Sequence, residues 1–65
     1  MNWDRIEGNW SQMTGAIKSK WGELTDDDLT QVEGDREQLA GRIQERYGVA
    51  KDEAERQIDD FLAKH

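Results

Sequence analysis

The sequence contains no cysteine, no proline, one histidine and only 34% apolar residues in 65 positions. Without cysteine there is no disulfide and no thiolate metal site, and the redox compartment leaves no mark on the chain. Without proline, nothing of that kind ends or kinks a helix. No apolar run approaches membrane-spanning length. The start, Met1-Asn2-Trp3-Asp4, lacks the basic and apolar regions of a signal peptide, so a cytoplasmic location is expected. Positive charge is also short, and the formal net charge is −6. Such a surface repels nucleic acid and anionic lipid and favours solubility.

Charged residues make up 37% of the chain, and the mean hydropathy is −1.10. So little apolar area places the chain near the limit below which chain entropy is not offset. A domain of this size buries only about 60% of its unfolded surface. Three tryptophans oppose disorder, because each brings a large area to a core.

Six glycines, at 8, 15, 22 and at 34, 41, 48, form two trios with steps of seven residues, offset by 26. The same offset pairs Glu7 with Glu33, Gln12 with Gln38, Ile17 with Ile43 and Asp26 with Asp52. It also pairs Ile6 with Val32, Met13 with Leu39, Trp21 with Tyr47 and Lys20 with Arg46. One helical unit is written twice, and such repetition constrains architecture more than it reveals activity.

Trp3, Ile6, Trp10, Met13, Ile17, Trp21 and Leu24 are spaced by three or four residues. They share an arc of roughly 80°, a narrow amphipathic stripe. Asn2 is a candidate cap, and Lys18 and Lys20 suit the other helix end. Gly22 reads as the left-handed residue that stops this helix. Thr25 then caps a second element whose first turn carries Asp26, Asp27 and Asp28. Leu29, Val32, Leu39, Ile43 and Tyr47 continue the stripe, with a candidate break at Gly34-Asp35 and a stop at Gly48. Ala54, Ile58, Phe61 and Leu62 form the buried face of a last helix.

The expectation is a single all-α domain over 1–65, with helices near 3–21, 26–33, 35–47 and 51–63. The repeat predicts two crossed helical hairpins around one small core. The alternative is two long helices and a shorter third, unbroken at Gly34. A monomer is expected.

Gly8, Gly15, Gly34 and Gly41 lack an ordinary role as helix stops. An interior glycine costs about 1 kcal/mol relative to alanine, a large amount beside the stability of a chain this short. Close helix packing or a local break, a fold kept weak so that helix content responds to its surroundings, and drift are the three readings.

No catalytic, cofactor or metal site emerges. Three adjacent aspartates at a helix start do not give the alternating oxygens of a calcium loop. His65 lies at the terminus, with no nucleophile to serve. Paired-carboxylate hydrolysis needs a cleft that helical hairpins of this size hardly provide. Tyr47-Gly48-Val49-Ala50 resembles a helix-hairpin-helix turn that aims backbone N–H groups at a phosphate. Ala50 replaces the second glycine of that motif, and Asp52 and Glu53 sit where phosphate would bind, so a structural turn is the better reading.

Three stretches, Met1–Trp10, Trp21-Gly22-Glu23-Leu24-Thr25-Asp26-Asp27-Asp28-Leu29 and Gly41-Arg42-Ile43-Gln44-Glu45-Arg46-Tyr47-Gly48, together with Ala54-Glu55-Arg56-Gln57, resemble the CsbD family of small bacterial stress-response proteins in its YjbJ-like branch. The resemblance covers essentially the whole chain. It implies an all-helical fold described as crossed hairpins, and a cytoplasmic bacterial protein made in quantity under stress. It supplies no catalytic residues. It also implies kinship with hydrophilins, which are glycine-rich, strongly hydrophilic stress proteins. Thr14, Ala16 and Ser19 depart from the family pattern, leaving this chain more acidic than some relatives. The expected role is a non-catalytic soluble protectant or weak interaction module. The alternative is a regulatory module that binds a protein or nucleic-acid partner through the hairpin turns.

Overall fold

The computed structural model describes residues 2–64, so His65 lies outside the described residues. Five helices and no strand occur among those residues: α1 (Trp3–Gly8), α2 (Trp10–Lys20), α3 (Asp26–Val32), α4 (Arg36–Tyr47) and α5 (Lys51–Lys64).

Local chemistry sets most of the helix ends. The Asn2 side chain accepts from the Arg5 N–H and starts α1. The expected helix over 3–21 is not continuous. It breaks at Asn9 (φ −119°, ψ 34°), which closes α1 and starts α2. Glycine followed by asparagine is a weak helical pair, and the Asn9 amide donates to the Arg5 carbonyl at 3.2 Å, competing with the regular ladder.

Gly22 does not adopt the expected left-handed conformation. The helix ends at Trp21 (φ −122°, ψ 83°), one residue earlier. Burial of that indole sets the end: its ring lies 5.4 Å from the Phe61 ring, and its Nε1 donates to Gln57 Oε1 at 2.8 Å. Leu24 N–H then closes the turn on the Trp21 carbonyl at 3.0 Å.

Thr25 and Asp28 form a reciprocal capping box at the start of α3, with both bonds at 3.1 Å. The helix stops at two left-handed residues, Glu33 (φ 50°) and Gly34 (φ 83°). Gly34 also meets Glu7: an added Cβ would lie 3.0 Å from Glu7 Cγ and 3.4 Å from its Cα. Asp35 caps α4 through the Glu37 and Gln38 N–H groups, and Gly48 (φ 66°) closes it.

The core collects the apolar stripes. Ile6, Ile17, Trp21, Leu24, Leu29, Val32, Leu39, Ile43, Ile58 and Phe61 are buried, as are Ala40 and Ala54. Trp3, Trp10, Met13 and Leu62 are partly buried against this cluster. Tyr47, expected in the core, is 39% exposed. It sits at the last turn of α4, where its hydroxyl accepts from the Glu23 N–H at 3.0 Å, so its polar tip stays near water. The most extensive helix packing is α4 on α5, followed by α3 on α4.

Candidate functional site

Two features outside the apolar core have shape or charge that chemistry could use. The first is Asp28, the one charged residue that is buried among the described residues. Arg46 grips its carboxylate with two bonds, Nε to Oδ2 at 3.1 Å and Nη2 to Oδ1 at 3.0 Å. Arg42 Nη1 stands 3.8 Å from Oδ1, and Thr25 N–H donates to Oδ2. The Arg46 hydrogen bonds, with the Thr25 N–H next, lower the carboxyl from its ordinary 3.8 to about 2. Both carboxylate oxygens are thus engaged, and the group bolts α3 to α4. It is a fixed anion with no proton to exchange near neutral pH.

The second is an open cavity of about 420 Å³ between α2 and α3. Trp10 and Leu29 supply its apolar wall, Ser11, Thr14 and Thr30 supply hydroxyls, and Glu33 marks one end. The Trp10 ring is held in place because its Nε1 donates to the Leu29 carbonyl at 3.0 Å. Its neighbour Trp3 lies 6.1 Å away, ring to ring, and donates to the Gly34 carbonyl at 2.8 Å. At the other end Asp26 pairs with Lys18 at 2.7 Å, an exposed contact.

The hairpin turns are engaged internally. Glu23 N–H is taken by the Tyr47 hydroxyl, and Gly48 N–H returns to the Gln44 carbonyl at 2.9 Å. Lys51, beside the second turn, pairs with Glu37 at 3.0 Å, while Asp52 and Glu53 occupy the first turn of α5. Glu53 is held by Arg56 and then by Gln57, which lower its carboxyl to about 2. An approaching phosphate would meet these carboxylates first.

Among the described residues, no three His, Asp or Glu side chains converge as a metal site, and no helix is long and apolar enough to cross a membrane. The tryptophans are spread between wall and core rather than forming one open platform. The α2/α3 cavity has no counterpart in the periodicity of the sequence. Its only sequence signal is that the 26-residue offset places Trp10 where the second half has Arg36.

An all-helical chain of this size with paired glycine trios matches the family described as CsbD-like over residues 4–56. It is 59% identical over 64 residues to a UPF0337 protein of Rhizobium meliloti, covering 98% of this chain and 93% of that one. A UPF0337 protein of Rhodopirellula baltica is 66% identical over 61 residues, or 94% of this chain and 90% of the relative. The UPF0337 protein YjbJ of Escherichia coli is 54% identical over 65 residues, 100% of this chain and 94% of that protein. The chain belongs to the CsbD-like family.

Proposed function

We propose that this is a non-catalytic general stress-response protein that acts as a soluble, hydrophilin-like protectant or weak interaction module. It would work in the cytoplasm, as a monomer. The observation that carries this reading is the surroundings of three helical glycines. A Cβ added at Gly8, Gly15 or Gly41 would meet nothing within 4 Å. Close packing therefore gives no reason for them: Gly8 sits at the break before Asn9, and Gly15 and Gly41 weaken the helices that contain them. The family resemblance supplies the link to stress.

The surface fits the same role. Net charge is −6, and Tyr47 is the one large hydrophobic residue exposed among those described. A hydrated, like-charged surface keeps neighbouring molecules dispersed. Helices held near their stability limit can rearrange as water is withdrawn.

Drying a labile enzyme with this protein tests the reading. Recovery of activity should exceed that given by an equal mass of an inert globular protein. A Gly8→Ala/Gly15→Ala/Gly41→Ala variant should protect less while remaining folded. Recovery no better than the inert control would overturn the proposal.

A further inference from the structure

The two halves of the chain build the same cross-link with different chemistry. Shifting by 26 residues carries Trp10 onto Arg36, Leu29 onto Glu55 and Glu33 onto Asp59. In the second half, Arg36 Nη2 lies 3.5 Å from the Glu55 carbonyl and 2.7 Å from Asp59 Oδ1. In the first half, Trp10 Nε1 reaches the Leu29 carbonyl at 3.0 Å. The carbonyl is satisfied in both places. The carboxylate is paired with a cation only in the second, because an indole carries no charge. No lysine or arginine among the described residues forms an ion pair with Glu33. Where the second half has Arg36, the first half has Trp10, and beside that indole lies an open cavity of about 420 Å³.

We propose that the α2/α3 cavity binds a small aliphatic cation, a guanidinium or ammonium head on a short alkyl stem, which takes beside Glu33 the place that Arg36 takes beside Asp59. Glu33 supplies the charge, and the Trp10 ring, fixed by its bond to Leu29, offers a π-system to the cation. Leu29 and the indole carbons cover the stem, and the Thr14 and Thr30 hydroxyls accept remaining N–H groups. The volume suits a small molecule. The net charge of −6 raises the local concentration of any cation.

The test is titration of the full chain with agmatine, followed by amide and indole NMR shifts. Saturable shifts at the Trp10 indole N–H, Thr14, Leu29 and Glu33 are expected, in the millimolar range of a single exposed contact. Glu33→Gln should weaken binding by about twofold to fivefold. Trp10→Arg should restore the internal pair, keep the helical spectrum and abolish binding. If that variant does not fold, Glu33→Gln alone decides. Four results would overturn the site: no shifts up to about 20 mM, far above a useful affinity for such a ligand; shifts spread over Asp52, Glu53 and Asp60; binding unchanged in Glu33→Gln; or binding of an arginine-containing peptide without binding of agmatine. None of these bears on protection during drying, which stands or falls separately.

Discussion

Replacing Gly15 and Gly41 with alanine should make the protein more stable, and replacing Gly34 should do the reverse. Gly15 lies inside α2 and Gly41 inside α4, and an added Cβ meets no atom within 4 Å at either. Each change then returns the helix-propensity difference, about 1 kcal/mol. Unfolding entropy of about 2.1 cal/mol/K per residue gives a chain of 65 residues a slope near 0.14 kcal/mol/K. One substitution should therefore raise Tm by about 7 °C, and the pair by about 15 °C. Gly34 has φ +83° and would place its Cβ 3.0 Å from Glu7 Cγ and 3.4 Å from the Glu7 backbone. Alanine there should cost about 1–3 kcal/mol through strain and displacement of α1. Thermal melts by circular dichroism, with urea titrations to check that the m-value is unchanged, measure all three. A fall in Tm for Gly15→Ala and Gly41→Ala would refute the claim that nothing packs there. A neutral Gly34→Ala would refute the close approach of Glu7.

Acid should weaken the fold in a defined window. The Asp28 carboxyl is lowered from 3.8 to about 2 and that of Glu53 from 4.5 to about 2, so their contributions are complete above about pH 4.5 and disappear as pH falls toward 2. Asp28→Asn should be less stable at neutral pH and show a flatter acid profile; identical slopes in the two proteins would contradict the assignment. Ile58 is fully buried, and Ile58→Ala should cost about 2–5 kcal/mol, enough to leave a large unfolded fraction and red-shifted Trp21 emission. Trp10→Phe keeps an aromatic ring but leaves the Leu29 carbonyl without its indole donor, and a loss of about 1 kcal/mol is expected in urea titration.

The apolar stripe was legible because a core one helix deep leaves little freedom. Spacing by three and four residues assigned Ile6, Ile17, Leu29, Ile43 and Ile58 to the interior, where they are buried. The same spacing concealed the break at Asn9, since Ile6, Trp10 and Met13 keep their intervals across a one-residue kink. Repetition carried the missing signal: Asn9 stands 26 residues before Asp35, the cap after the Gly34 turn, so a break in one half implies a break in the other. Analogy failed at Gly22, however. Gly48 ends α4 through its own backbone, whereas burial of the Trp21 indole against Phe61 ends α2 first. Trp21 and Tyr47 share a repeat position and differ in depth, because only the tryptophan finds a partner in α5. Thr25 was readable as a cap from local chemistry. The grip of Arg46 on Asp28 was not, because it joins residues 18 apart and leaves no periodic trace.

The tryptophans do more than fill space. A helix of seven residues, the length of α3, is not stable alone, and its last carbonyls need donors. Glu33 N–H supplies one to Leu29 at 3.2 Å, and the Trp10 indole supplies a second to the same oxygen. Trp3 does the same for the Gly34 carbonyl in the turn that follows. Both indoles belong to the arm formed by α1 and α2. The end of α3 is therefore capped by side chains from another part of the chain, and the arm is anchored by the backbone it caps. Losing the arm removes the indole donors of the Leu29 and Gly34 carbonyls, which couples the two elements in one small core. Weak glycine-bearing helices in the arm then act on α3 as well, so a change that frays α2 loosens the turn at Gly34 and with it the start of α4.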